Sequence, residues 1–184
     1  KSDTLGIAAK ALFNCNGVTE VILPQNIKVI NDAAFSGCTG ISSVNFPEKL
    51  TKIGEEAFKS CGMAGTLRLP EIEEIGASAF LDCNITSVGF GNKLTTIGNS
   101  AFQNCNLTGE IVIPDSVTSL GQWALRGNNN ISKLTLVMPG KITLGLLFYS
   151  IPKTLTEVII NGSNLPEGAL SNASKVNKVT LSDD

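Results

Sequence analysis

The sequence repeats itself at a short, nearly constant interval. The stretch AFSGC at residues 34–38 returns as AFKSC at 57–61, AFLDC at 79–83 and AFQNC at 101–105. Successive copies are therefore 22 or 23 residues apart. Internal periods of this size are typical of solenoids, in which each unit buries its apolar face against the next. The repeat predicts a single stacked array.

Three apolar columns extend this period over the whole chain. Each unit has an aliphatic residue four positions before the Ala position, an aromatic residue or a substitute for it just after the Ala, and a closing pair of alternating apolar residues. The units are 21–24 residues long, and eight of them follow one another without a linker, so we predict one domain over residues 1–184. The aliphatic column is Ile7, Ile30, Ile53, Ile75, Ile97, Leu120, Leu144 and Leu165; the aromatic column is Leu12, Phe35, Phe58, Phe80, Phe102, Leu125, Tyr149 and Leu170; the pairs are Val21/Leu23, Val44/Phe46, Leu67/Leu69, Val88/Phe90, Ile111/Ile113, Leu134/Leu136, Val158/Ile160 and Val179/Leu181.

Each unit predicts two short strands and one tight turn. The closing pairs lie in segments such as VTEVIL and LTEVII, whose alternation and β-branched residues indicate a strand with one buried face. The Ile-Gly-x-x-Ala-Phe segment is too short for an ordinary helix, so it predicts a second short strand and a turn that buries Ala and Phe. We expect the glycines of this segment to permit the bend: Gly54, Gly76, Gly98 and Gly121.

The unit, L-T-x-V-x-L-P…L-T-x-I-G-x-x-A-F-x-x-C, resembles the BspA-like (Treponema-type) leucine-rich repeat. The resemblance covers the full chain and is most specific over units two to five. It implies a mainly β or α+β solenoid, a leucine-rich-repeat superhelix of about eight turns with parallel strands. Later units depart from the pattern, so we expect an irregular shape beyond about residue 137. The departures are Asn128 at the Cys position of unit six, Phe148, Tyr149 and Pro152 at the Ala, Phe and Cys positions of unit seven, and Pro166 and Ala173 at the Gly and Cys positions of unit eight.

Five cysteines occupy one column of the repeat: Cys15, Cys38, Cys61, Cys83 and Cys105. Zinc sites use closely paired cysteines and histidines, and a nucleophilic cysteine needs a base, but this chain has no histidine. Disulfides between stacked units are harder to exclude, because neighbouring Cα atoms would lie about 5 Å apart, within bridging range. Parallel side chains and an odd number of cysteines argue against full pairing, so we favour buried thiols with one or two bridges as the alternative.

Composition excludes several other functions. The net charge is −2 and no basic stripe exists, which argues against nucleic-acid binding. No apolar run approaches the ~18 residues of a membrane span. The acidic segment at 71–74, with Glu55 and Glu56 one unit earlier, lacks the graded ligand spacing of a calcium loop, so we interpret it as a solvated face. We predict neither catalysis, a cofactor nor a metal.

A partner would meet the outward side chains of the closing strands. These form two columns, and within them the candidate contact residues are Arg68, Glu110, Lys133, Glu157 and Lys178. The mixed surface suits an extended protein or glycan better than a small molecule. The columns are Glu20, Ser43, Thr66, Ser87, Glu110, Lys133, Glu157 and Lys178, and Ile22, Asn45, Arg68, Gly89, Val112, Thr135, Ile159 and Thr180.

Trp123 is the remaining candidate contact residue. The earlier members of its column predict exposure, and exposed tryptophans often anchor interfaces. The column is otherwise Lys10, Ala33, Glu56, Ser78 and Ser100, followed by Leu147 and Gly168. Alternatively, Trp123 folds over the turn and covers Leu144 or Leu147. We expect Tyr149, at an aromatic-column position, to lie in the core.

The resemblance also implies a function. Members of the family are cell-surface or secreted proteins with adhesion to host matrix proteins such as fibronectin or fibrinogen as a theme. We therefore expect an extracellular binding module, with a structural spacer or a regulatory domain of a larger protein as alternatives. We expect the chain to be monomeric or to associate weakly end to end through its terminal units.

Overall fold

The computed structural model describes residues 5–136, 144–161 and 167–182. Over these residues the chain is a β-solenoid of about seven turns, and all of its strand pairs are parallel. The predicted fold class is therefore confirmed, with a turn count close to the expected eight.

Each regular unit contributes two strands to two sides of the solenoid. The short strands before the turns form one six-stranded sheet: β1 (Gly6–Ile7), β3 (Val29–Ile30), β5 (Lys52–Ile53), β7 (Glu74–Ile75), β9 (Thr96–Ile97) and β11 (Ser119–Leu120). The closing strands are β2 (Glu20–Ile22), β4 (Ser43–Asn45), β6 (Ala64–Leu69), β8 (Asn84–Phe90), β10 (Thr108–Ile113), β12 (Asn130–Leu136), β13 (Glu157–Asn161) and β14 (Lys178–Ser182). They pair in three separate sheets, β2-β4, β6-β8 and β10-β12-β13-β14.

The core is a stack of phenylalanine rings along the solenoid. Phe35, Phe58, Phe80 and Phe102 are buried and nearly parallel, with centroid separations of 5.1, 5.6 and 5.3 Å. Ring spacings of this size lie in the favourable range for aromatic pairs. Because one ring comes from each turn, the aromatic column joins neighbouring turns into one core.

The glycines before the turns have a different role from the one predicted. The left-handed backbone lies two residues later, at Lys10, Ala33, Glu56, Ser78, Ser100 and Trp123. Gly98 and Gly121 are instead needed because a Cβ there would lie 2.4 Å and 2.3 Å from a backbone nitrogen of the preceding turn. Close stacking of the turns, rather than a bend at glycine, therefore fixes these positions.

Unit seven corrects the prediction for Tyr149. Here a five-residue helix, α1 (Leu144–Phe148), replaces the tight turn, and Phe148 fills the core position with 0% exposure. Tyr149 follows the helix with φ 63° and is 66% exposed. The helix moves the buried position back by one residue, so Tyr149 lies on the surface. The side chain of Leu144 and residues Leu165 and Pro166 lie outside the described structure.

The last strand also differs from the prediction. Val179 and Leu181 of β14 were expected in the core but are 43% and 60% exposed. Strand β14 pairs on one side only, with β13, and no described turn stacks over its other side. End-to-end association through this surface stays a prediction.

Candidate functional site

The cysteine column forms a series of hydrogen bonds inside the core. Each of the four buried thiols donates to the carbonyl oxygen of an aromatic-column residue in the preceding turn. The Sγ–O distances are 2.8 Å for Cys38 to Leu12, 3.0 Å for Cys61 to Phe35, 3.1 Å for Cys83 to Phe58 and 3.0 Å for Cys105 to Phe80. All five cysteines are free thiols, and Cys15 alone is only partly buried. The prediction of buried thiols is thus confirmed for four of them.

Asn128 replaces cysteine in unit six and keeps the same bond. Its Nδ2 donates to the carbonyl oxygen of Phe102 at 2.7 Å, as a thiol would. Its Oδ1 also accepts from the backbone amides of Cys105 and Leu107, at 3.1 and 2.9 Å. Asn128 is 1% exposed, so each of these bonds satisfies a buried polar group.

Burial keeps the core thiols in their neutral form. It raises the pKa of Cys61 and of Cys105 to about 12 and also raises the pKa of Cys38 and Cys83. A nucleophilic or metal-binding cysteine needs the thiolate, and burial in apolar surroundings suppresses it. The four buried thiols therefore join neighbouring turns through hydrogen bonds and are held in the neutral form, which is a poor nucleophile and metal ligand.

The outward columns of the closing strands form a surface that we call the strand face. The predicted registers are present: Glu20 pairs with Ser43, Thr66 with Ser87, and Glu110, Lys133, Glu157 and Lys178 follow one another across four strands. Thr66 and Ser87 also share a hydrogen bond of 2.8 Å between their hydroxyls.

Four of the candidate residues pair with one another. Lys133 Nζ lies 3.2 Å from Glu110 Oε1, and Lys178 Nζ lies 2.8 Å from Glu157 Oε1. The hydrogen bond from Lys178 and the nearby positive charge lower the pKa of Glu157. We call these four residues the ladder. Its two acidic and two basic side chains balance each other, so it has little net charge with which to attract a partner.

Arg68 lies at an interruption of the strand face. Strands β4 and β6 belong to different sheets, and an open cleft of about 290 Å³ lies between them. Its lining includes Phe46 and Met63 as apolar groups, and Asn45, Thr66 and Arg68 as polar groups. Within the described ranges Arg68 is exposed and its side chain has no ion pair or hydrogen bond. Sequence alone could place Arg68 on the surface but could not predict this break between strands.

The acidic segment contains ion pairs and is a solvated face, as predicted. Glu74 pairs with Lys52 at 2.8 Å and Glu71 with Lys93 at 2.5 Å, both between neighbouring turns. In the part of the chain that the structure describes, no group of three or more acidic or cysteine side chains is arranged to hold a metal ion.

Trp123 lies in a cluster that the sequence did not predict. Its ring meets Tyr149 edge to face, with centroids 5.9 Å apart and an interplanar angle of 83°. The guanidinium of Arg126 lies over both rings, 5.4 Å from the Trp123 centroid and 4.7 Å from that of Tyr149. Trp123 is 38% exposed, so it is neither fully exposed nor buried. The cluster was missed because the sequence analysis placed Tyr149 in the core.

None of the described helices is long and apolar enough to span a membrane. The single helix among these residues has five residues.

Comparison with known proteins identifies the repeat. The family model for the BspA-type leucine-rich repeat region matches residues 5–131 and 73–184, with six copies. No curated protein matches the chain.

Three solved bacterial structures are similar to this chain at low sequence identity. A leucine-rich cell surface protein from Faecalibacterium prausnitzii is 16% identical, with a TM-score of 0.50, over 98% of this chain and 83% of that one. A leucine-rich repeat protein from Eubacterium ventriosum is 17% identical, with a TM-score of 0.43, over 98% and 71%. The T. pallidum leucine-rich repeat protein is 21% identical, with a TM-score of 0.46, over 96% of this chain and 62% of its own length.

Proposed function

The chain belongs to the BspA-type leucine-rich repeat family, and on this premise we propose that it is a non-catalytic binding module. It presents its strand face to a macromolecular partner at the cell surface or outside the cell. The extracellular location is supported by the description of the Faecalibacterium prausnitzii neighbour as a cell surface protein.

The cleft at Arg68 is the observation that carries the proposal. The acidic and basic side chains from Glu110 to Lys178 pair with one another, so this part of the strand face has little free charge. The cleft between β4 and β6 combines a recess, apolar groups and an exposed guanidinium without a partner in the described structure. Arginine binds carboxylates through two parallel hydrogen bonds, so it can orient a partner as well as attract it.

The partner class is a protein, with a glycan as the other candidate. An extended strand face suits a large, flat surface, and the cleft is too small and open to enclose a typical small-molecule ligand. Fibronectin and fibrinogen are the first partners to test because of the theme of adhesion in this family.

Biolayer interferometry tests the proposal. The purified chain is measured against immobilised fibronectin, fibrinogen, collagen and a mixed glycan set. We expect saturable binding to at least one of them, and Arg68→Ala should weaken it about tenfold, equivalent to ~1.4 kcal/mol. Lys175→Ala is the matched control, because Lys175 is an exposed cation outside the strand face. Equal binding by both variants would exclude the cleft as the contact.

A structural spacer is the second candidate function. Four ion pairs join neighbouring turns, namely Lys52–Glu74, Lys93–Glu71, Lys133–Glu110 and Lys178–Glu157, which favours a role in maintaining the stack. Lack of binding to every member of the panel would favour the spacer, or a regulatory domain of a larger protein, over the binding module.

A further inference from the structure

The chain has one tryptophan and one tyrosine, and they meet around Arg126. We propose that Trp123, Arg126 and Tyr149, the aromatic cluster, form a second binding site that takes an acidic peptide segment of a protein partner. The inference rests on the proposed function only in treating the chain as a binding module, because the cluster lies on the turns rather than on the strand face.

The guanidinium of Arg126 is held in place without a charged partner. Two aromatic rings contact it, and in the described parts of the chain its side chain has no ion pair or hydrogen bond. Its N–H donors are therefore available to a ligand while its position is fixed by the rings. A fixed guanidinium loses less conformational freedom when it binds a carboxylate than a mobile one does.

Both aromatic residues occupy backbone conformations that bulky side chains avoid. Trp123 has φ 60° and Tyr149 has φ 63°. The positions that correspond to Trp123 in earlier turns carry smaller or charged residues such as Ala33, Glu56 and Ser78. Packing does not require the two rings, because Leu125, Leu147 and Phe148 already fill this part of the core. Neither the turn nor the core therefore explains a bulky ring at a left-handed position, which points to a function for the exposed rings.

The charges around the cluster favour an acidic partner. Residues 94–109, 116–136 and 144–156 contain no Asp or Glu, whereas the corresponding turns of units three and four carry Glu55, Glu56 and Asp82. Within these ranges no acidic side chain competes for the guanidinium of Arg126, so a carboxylate of a partner is its complementary charge. Trp, Tyr and Arg are also the residues that most often dominate protein–protein interfaces.

The geometry favours a peptide over an acidic sugar. A sugar ring stacks on an open aromatic face, but Arg126 covers a face of each ring. The two rings also stand at 83° to each other and form no common flat platform. A carboxylate side chain that meets the guanidinium, with an apolar neighbour against the rings, fits this arrangement better.

Fluorescence of Trp123 gives a direct test, because no other tryptophan contributes. The chain is titrated with the capped peptide GDLEGDLE and with its amide counterpart GNLQGNLQ. We expect a saturable change with the acidic peptide and at least tenfold weaker binding of the amide peptide. Arg126→Gln should weaken binding of the acidic peptide at least tenfold, whereas Lys153→Gln, an exposed control, should change it less than twofold.

Circular dichroism confirms that each variant folds, and Tyr149→Ala provides a second, independent loss of binding. Three results would overturn the inference. They are equal responses to both peptides, equal effects of Lys153→Gln and Arg126→Gln, and tighter binding of glucuronic acid than of the acidic peptide. Arg68→Ala separates the two proposals, because it should leave the peptide titration unchanged. If a panel protein bound through Arg68 and no peptide response were seen, the proposal for the aromatic cluster would be refuted and the proposal for the strand face would stand.

Discussion

At the residue scale, one position in each of units two to six donates a hydrogen bond that joins the turn to the one before it. A thiol serves at Cys38, Cys61, Cys83 and Cys105, and an amide serves at Asn128. Both groups donate to the carbonyl oxygen of an aromatic-column residue. The shared feature is therefore a hydrogen-bond donor of small volume, which explains why asparagine can replace cysteine in this column.

Asn128→Ala should lower the free energy of unfolding by about 2–4 kcal/mol, because it leaves the Phe102 carbonyl and two buried amides without partners. Asn128→Cys should cost only about half as much, since a thiol can still donate to Phe102. Urea unfolding followed by circular dichroism measures both changes. A smaller loss for alanine than for cysteine would refute this role of the column.

The raised thiol pKa values predict a loss of stability in alkali. The pKa of Cys61 is about 12 in the folded protein against an ordinary value of 9.0. Below pH 9 the thiol is neutral in both states and its contribution to stability is fully present. Between pH 9 and 12 only the unfolded state releases the proton, so unfolding becomes easier by about 1.4 kcal/mol per pH unit for each such thiol.

Comparison of wild type with Cys61→Ala isolates this effect, because other titrating groups are common to both proteins. In urea unfolding at pH 7.5, 9 and 10, the free energy of unfolding should fall more steeply with pH for wild type than for Cys61→Ala. Parallel curves above pH 9 would mean that Cys61 is not held as a neutral thiol.

At the element scale, the aromatic column determines how neighbouring turns pack. Phe58 lies between Phe35 and Phe80 and also meets Phe46 edge to face at 5.5 Å. Phe58→Ala should lower the free energy of unfolding by about 3–5 kcal/mol, because apolar burial is lost and a cavity remains. Phe58→Leu is the matched control and should cost less than about 1.5 kcal/mol, since Leu125 occupies the same column. Thermal melts that are unchanged for Phe58→Ala would contradict the assignment of this column to the core.

The regular elements were predictable because their signal is repeated. Strands, turns and registers recur in the first six units, so an error in predicting one of these units is corrected by the others. Unit seven has no such support: its α1 helix replaces the turn and moves the core position from Tyr149 to Phe148. Column alignment assumes equal turns and cannot detect that change.

At the scale of the whole molecule, the candidate sites lie where regular strand pairing or a regular turn is interrupted. The cleft at Arg68 arises from separate pairing of β4 and β6, and the aromatic cluster arises from the helix of unit seven. Sequence identified Arg68 and Trp123 as candidates from their columns. It could not identify Arg126 or Tyr149 as their neighbours, because those contacts depend on the geometry of one irregular turn.

The central claim is that the repeated residues build the scaffold and carry no chemistry. Titration of the thiols with a chromogenic disulfide reagent tests it, in the native protein at pH 8 and again after denaturation. We expect one fast-reacting thiol in the native protein, Cys15, and all five after denaturation without reductant. Fewer than five in the denatured protein would reveal a disulfide. Rapid reaction of Cys61, Cys83 or Cys105 in the native protein would show that the column is accessible and would contradict the structural role given to it here.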